Sequence, residues 1–437
     1  MKEDNLNNIG EKKYAVMAWM ICALGAIYYS YEYLLRITPS VMESALRTHF
    51  NLSAAGFGLL SAFYYYAYVP LQIPVGILLD RYGPRILITL ACLICVIGTF
   101  MFSATSIFWI AALGRFLVGF GSAFAFVGIL KLSTIWLPED KLGMVAGLAS
   151  ALGTVGAMIG DNLMSELVVH FGWYYTVNFS ACIGIILTVI LWFGIRDNKK
   201  SEDKINITHD FKKIIQDLLI IIRNKQIWIN GAIGCLIYLP TTVFAELWGI
   251  PYLEHVHDLS KESAGFANSL IFFGFMLGAP LMGFISDKLK CRKLPLLFGA
   301  VFAAIVMLVI FYVPDLSELQ IYILLFILGL FYSSQCIVFA IGRELSPIAA
   351  AGTAIAVTNM LVMLGAVFLQ PLVGNLLDFS LSVHINGIDL AKIPVDTLQT
   401  LYTSADYKFA LSIVPFGIII SAILTFFLKE THADTIH

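Results

Sequence analysis

Residues 76–85 read GILLDRYGPR and break an apolar stretch with Asp80, Arg81 and Arg85, framed by Gly76 and Gly83. Residues 283–292 read GFISDKLKCR. A single shift of 207 residues lays Gly76 on Gly283, Asp80 on Asp287, Arg81 on Lys288 and Arg85 on Arg292; Lys290 stands where the first copy has Gly83. An acid and two bases at one spacing, repeated once in each half of a 437-residue chain, mark an internal duplication.

The surroundings of both copies say what was duplicated. Hydrophobic residues make up 59% of the chain and charged residues 13%, about half the share found in soluble domains, so most of the surface faces lipid. The charge pattern offers no basic tract with interleaved aromatics, and no nucleic-acid partner is expected. Of seven cysteines, six lie in apolar runs and Cys291 in a short basic loop. None has disulfide-framework or zinc-ligand context: Cys92 and Cys95 form CxxC, but mid-helix they read as small apolar residues. The polar N-terminal segment runs straight into a long span without a small-residue cleavage site, which predicts a first membrane helix rather than a removed signal.

A bilayer crossing needs about 20 mostly apolar residues. Twelve runs qualify, at about 14–37, 56–79, 86–104, 107–130, 142–166, 173–195, 227–250, 264–286, 293–313, 319–342, 349–377 and 407–428. Two connectors are long. Residues 196–226 carry RDNKKSEDK and DFKKIIQDLLIIIRN, whose apolar and basic residues alternate at helical spacing and predict an amphipathic helix on a membrane surface. Residues 379–406 form the other. The N-terminus, the even-to-odd loops and the C-terminus hold twenty Lys and Arg, and the opposite set holds five: Arg36, Arg47, Lys261, Lys392 and Lys408. That imbalance predicts both termini, and both motif loops, on the cytoplasmic side of the inner membrane.

Twelve spans, a basic central loop and a duplicated G-x-x-x-D-[RK]-x-G-x-R between the second and third span of each half resemble the major facilitator superfamily, over nearly the whole chain. The span-4 stretch RFLVGFGSAF, with Arg115, is similar to that family's intramembrane arginine motif. The resemblance implies an all-α membrane fold of two pseudo-symmetric six-helix bundles, residues 1–195 and 227–437, joined by 196–226. It implies that the glycine-rich span 5 (Gly153, Gly156, Gly160) packs against span 8, which supplies Gly278, and that spans 1 and 4 line the cavity. More loosely, YYYAYVPLQIPVGILLDRYGPR and GRFLVGFGSAFAFVGILKLSTIWLP resemble the phagosomal nutrient transporters of intracellular Gram-negative bacteria, which import amino acids or nucleosides. Lysosomal dipeptide facilitators share the broad pattern.

The motif itself has a physical use. Asp80, at the cytoplasmic end of span 2, can accept bonds from the N-terminal amides of a neighbouring helix, where the macrodipole favours negative charge, or pair with a base. Gly76 permits close helix contact, and Gly83 with Pro84 shapes the turn. These contacts are expected to latch the cytoplasmic side when it is closed and so to stabilise the outward-open state. Positive-inside topology alone would explain Arg81 and Arg85 but neither Asp80 nor the glycines.

Charges inside spans are costly and mark function. Glu32 and Arg36, one turn apart in YYSYEYLLRITPS, can pair along one face. Glu32 and Arg115 are at similar depth below the outer surface and are expected to meet across the cavity, unless Arg115 bonds backbone carbonyls instead. Lys131, near the cytoplasmic end of span 4, can snorkel. Glu246 is expected near the outer end of span 7, at the rim or as a gate, and Asp161 and Glu166 in solvent. Tyr31, Gln335 and Asn359 are further candidates for substrate contact; Gln335, Asn359 and Gln370 are as suited to gluing helices. Tyr28, Tyr29, Tyr31 and Tyr33, and Tyr64, Tyr65, Tyr66 and Tyr68, crowd spans 1 and 2, and about half of them can face one cavity.

An Arg–Glu pair among Tyr hydroxyls suits a small zwitterion. The expectation is a proton-coupled symporter for an amino acid or short peptide, monomeric, with no cofactor or metal and the proton as coupling ion. Organic anions, siderophores or nucleosides are the alternative substrates, and a transceptor is the remaining alternative. The sequence holds no P-loop, HExxH or paired catalytic carboxylates, so an enzyme or an ATP-driven pump is not expected.

Overall fold

Lipid offers the backbone no hydrogen-bond partners, so a chain this apolar must close its bonds within helices. A computed structural model shows this, describing residues 2–138, 141–196, 211–347, 350–385 and 390–431; among them there is no strand. Ten helical segments are long and apolar enough to cross a membrane, and Ala54–Leu71 with Pro74–Tyr82 makes an eleventh, bent by 65°. Pro70 and Pro74 account for that bend, since each removes an amide from the helical ladder. Met144–Gly194 runs 51 residues, far more than one crossing needs, and breaks at Gly172, whose φ of 79° only glycine adopts freely. Counted as two passes, it completes twelve.

Spans 2, 8, 10 and 12 each begin with a hydroxyl cap: Ser53, Ser260, Ser317 and Thr403 accept amide bonds from the first turn. Two short helices escaped the reading of the sequence. Glu43–Phe50 and Val395–Leu401 lie on the outer side, one from each half, and touch through Ser44–Gln399 at 2.6 Å and Thr48–Asp396 at 2.7 Å. The linker helix is present as Phe211–Arg223. It is not simply laid on a membrane surface, however: Ile221 is buried against Ile227, Ala354 and Val357, while Leu219 and Ile220 stay exposed. Residues 197–210 of that linker lie outside the described residues.

The halves meet along two seams. Span 2 abuts span 11, where a Cβ on Gly58 would fall 2.6 Å from the Gln370 carbonyl and one on Gly374 would fall 2.3 Å from that of Ala54. Span 5 abuts span 8, where a Cβ on Gly265 would fall 2.5 Å from the Asp161 carbonyl. Second span against fifth, in both directions, is the pairing a two-fold relation between halves produces.

The span-5 glycines are spent elsewhere than expected. Gly153 faces the Tyr29 ring, Gly156 the Ser30 carbonyl and Gly160 Ile37, all on span 1, and Gly278 faces Leu330 and Ser333 on span 10. The glycines themselves therefore face span 1 of their own half, while span 5 packs along span 8 as expected, through other residues of the same helix.

Candidate transport site at the lobe interface

The charged centre is built from three helices. Span 1 places Glu32 and Arg36 on one face, and Arg36 Nη2 donates to Glu32 Oε1 at 2.9 Å. Span 2 adds Tyr64, whose hydroxyl accepts from Arg36 Nε at 3.0 Å and donates to Glu32 Oε2 at 2.9 Å. Tyr33 and Tyr68 lay their rings 4.2 and 5.0 Å from the guanidinium carbon, as cation–π partners. Span 7 brings Glu246 on a π-helical stretch, Pro240–Trp248. Its Oε1 stands 3.5 Å from Arg36 Nη1, and Tyr65 donates to its Oε2. Glu246 is thus a fully buried partner across the lobes and not a rim residue. The 3.5 Å gap is an ion pair too open for a hydrogen bond, so Arg36 Nη1 and Glu246 Oε1 both lack one among the described residues. Tyr33 and Tyr238 join the lobes a turn away, at 3.2 Å.

Arg115 does not meet Glu32. Its Nη1 donates to the Leu35 carbonyl at 3.0 Å and Nη2 approaches the Arg36 carbonyl at 3.4 Å. Pro39 explains this: lacking an amide, it leaves the carbonyl four residues back, that of Leu35, without its helical donor. Arg115 holds the outer end of span 1 and stacks 5.2 Å from Tyr64.

The other candidates scatter. Tyr31 turns into its own half and donates to the Ser180 carbonyl at 3.1 Å. Tyr28 does likewise with Gly121, and Tyr66 packs on Phe63. Asn359 donates to Gln72 across the lobes at 2.8 Å. Gln335 is buried in a 3₁₀ turn of span 10, Ser333–Cys336, away from the Arg36 cluster. Lys131 does not merely snorkel; its Nζ lies 2.6 Å from Asp80. Asp161 is not solvated: it is fully buried and accepts from Asn268 at 2.8 Å, whereas Glu166 is exposed beside His170.

The two motif copies sit at the open end of the molecule. A Cβ on Gly76, Gly147, Gly283 or Gly352 would meet nothing within 4 Å among the described residues, in contrast to the glycines of the outer seams. At these four positions the halves stand apart. Asp80 pairs with a base of its own half, Lys131, one of the two kinds of partner expected of it, beside a recess of about 280 Å³ lined by Gly76, Leu130, Lys131 and Thr134; among the described residues no bond joins it to the other half. Gly83 turns the chain with a φ of 79°, and Pro84 opens the next helix. Arg81 lies over Tyr82, and Arg85 covers Trp192 and donates to its carbonyl at 3.1 Å. In the second copy Lys290 takes the left-handed conformation at φ 50°, Lys288 is exposed, and Arg292 bonds Asp287 at 2.5 Å and Glu344 at 2.7 Å. Burial pushes the Glu430 carboxyl up, but the bonds it accepts, the Arg292 amide first among them, outweigh this and hold it below the usual carboxylate range.

Comparison with known proteins agrees with this architecture. The solved structure of a bacterial homologue of the human lysosomal transporter Spinster, inward-facing and unoccupied, matches with a TM-score of 0.74 at 16% identity, over 94% of this chain and 97% of that one. A point mutant of the nucleoside transporter NupG matches at 0.70 with 11% identity, over 93% and 99%. In sequence, the "Uncharacterized transporter YybO" of Bacillus subtilis (strain 168) is 25% identical over 56% of this chain, and the match spans 60% of that relative's length. The "Probable galactarate/D-glucarate transporter GudP" of the same organism is 27% identical over 68% of this chain and 73% of its own. The family description Major Facilitator Superfamily matches residues 18–369, most of the length, and the chain belongs to that superfamily of membrane transporters.

Proposed function

We propose that the protein is a proton-coupled secondary transporter that moves a small carboxylate-bearing nutrient, an amino acid or short peptide, across the inner membrane by alternating access. The observation that carries this is the Arg36–Glu246 pair: a donor and an acceptor from opposite lobes, buried, facing each other and unsatisfied by hydrogen bonds among the described residues. A substrate carboxylate takes Arg36 as a bidentate partner. A substrate ammonium takes Glu246. Arg36 is flanked by two acids, so a carboxylate arriving there leaves Glu32 or Glu246 without its cation, and a proton then neutralises the acid left over. Proton and solute enter together on that account.

A second reading has its own support. Relatives carry printed names for galactarate/D-glucarate, nitrate/nitrite and sulfoacetate, all anions. A small organic anion would use Arg36 and require both acids to be neutral. Uptake into proteoliposomes under an imposed inside-alkaline gradient, tested with amino acids, dipeptides and sugar acids, separates the two. Glu32→Gln is expected to abolish accumulation driven by the gradient while sparing counterflow exchange, because glutamine mimics the protonated acid; Glu246→Gln is expected to abolish accumulation and to weaken exchange of any substrate that carries an ammonium. Accumulation that persists in both variants overturns the coupling scheme.

A further inference from the structure

The Arg36 cluster leaves one buried acid unused. Asp161 has no exposed surface, and it is held at the outer seam between spans 5 and 8, where the lobes touch. Its Oδ2 accepts from Asn268 Nδ2 at 2.8 Å. The same amide nitrogen donates to the Ala245 carbonyl at 2.9 Å, which fixes the amide orientation, since a flipped Asn268 would set its oxygen against two acceptors. Two atoms remain without partners, Asp161 Oδ1 and Asn268 Oδ1, and both are acceptors.

Among the described residues no cation serves them. The charged side chain whose field reaches Asp161 is Glu246, another acid. Arg36 of span 1 is engaged by Glu32 and Glu246. Lys261, at the start of span 8, faces Glu254 at 3.9 Å, and Glu262 beside it is exposed. On the following helix Glu166 and His170 pair with each other in solvent. An ionised carboxylate buried without a counter-ion costs several kcal/mol, and the group takes a proton instead. One proton on the carboxyl makes Asp161 Oδ1 a donor in place of an unmatched acceptor. Both interface acids, Asp161 and Glu246, moreover sit on π-helical turns, Gly160–Met164 and Pro240–Trp248, which interrupt the α-helical ladder and recur at functional sites.

We propose that Asp161 and Asn268 form a proton-binding site at the outer seam, distinct from the Arg36 cluster: the carboxyl binds one proton from the outer medium as the seam closes and releases it to water when spans 5 and 8 part. The proposal rests on the alternating-access reading. The closed seam is the form with the higher proton affinity. Its advantage is therefore fully present at low outer pH and fades as pH rises, by up to about tenfold in the closed-to-open ratio per pH unit.

The test reads the seam directly and not transport, so it stands apart from any failure to find a substrate. Spin labels on Phe171→Cys and Leu319→Cys, exposed outer positions on opposite lobes, report the distance across the outer side. The short-distance population is expected to grow as pH falls, at constant sodium. Asp161→Asn, which keeps a neutral partner for Asn268, is expected to stay closed across the range with that proton's slope removed. Asn268→Ala removes the amide donor that favours the ionised carboxylate and is expected to move the midpoint to less acidic pH, and it serves should Asp161→Asn not fold. A parent that is flat with pH, a slope that survives in folded Asp161→Asn, an unmoved midpoint in Asn268→Ala, or a population set by sodium at fixed pH each overturns the proposal.

Discussion

The outer and cytoplasmic ends of this molecule are built from similar helices and differ in how the halves meet. At the outer end, backbones touch: Gly58 lies against Gln370, Gly374 against Ala54, and Asp378 accepts the Ala54 and Ala55 amides at 3.1 and 2.9 Å across the seam. Arg47 reaches Tyr402 at 3.1 Å, closing the same surface. At the cytoplasmic end the small residues that would permit equal contact face open space, and the charges pair inside their own halves. The difference is that glycine and an acid near a helix terminus are competent for both states, and what they touch reports which state is present. A seam is therefore recognised in this structure by backbone atoms too close to admit a methyl group.

The contrast can be broken most severely at its centre. Arg36→Gln leaves Glu32 and Glu246 buried without their cation, at a cost of about 3–5 kcal/mol. Transport should be lost and the thermal midpoint should drop in detergent; a variant that transports normally would remove Arg36 from the site.

Next comes packing at the outer seam. Gly58→Ala would set a methyl carbon 2.6 Å from the Gln370 carbonyl, a backbone atom that cannot swing away. Overpacking of this kind costs about 1–3 kcal/mol, so the outer-closed population should fall roughly 5- to 150-fold. External labelling of a cysteine at Ala54, buried in this state, measures it.

A smaller effect is expected from Asp378→Asn. The amide keeps one acceptor for Ala54 and Ala55 but loses the charge, and charge-assisted bonds are about twice as strong as neutral ones. A shift of about fivefold toward outer-open, seen by the same labelling, sharpens the comparison; no shift would mean that the backbone contacts alone close the seam.

The least effect in this state belongs to the cytoplasmic end. Lys131→Met removes a partly exposed pair with Asp80, and such pairs contribute about 0.2–1 kcal/mol. Gly76→Ala should leave the thermal midpoint unchanged, because a methyl fits the open space, yet slow turnover, because the cytoplasmic side must close on it. A destabilised but fully active Gly76→Ala would invert the assignment of the two ends.

Much of this was legible in the chain because lipid constrains it strongly. Twelve apolar runs, the 207-residue repeat and the basic loops follow from composition and spacing, and the Glu32–Arg36 pair follows from one helical turn. The destinations of the remaining polar groups did not follow. Sequence reading left Arg115 between Glu32 and backbone carbonyls; the structure chooses the carbonyls, above all the one vacated by Pro39, four residues beyond Leu35. Glu246 and Asp161 were read as near-surface by counting from span ends, and both are buried because π-helical turns and the facing lobe enclose them.

Membership of a helical membrane family, the number of crossings and the repeated motif are properties that one helix or loop displays alone, through period, length and charge, and the sequence by itself determined them. Which side is closed, which acid shares Arg36 and which glycines meet a backbone depend on how two rigid halves are tilted. That tilt sets distances between residues some 100 to 320 positions apart, such as Asp161 with Asn268 and Ala55 with Asp378, and only the tertiary structure decided it.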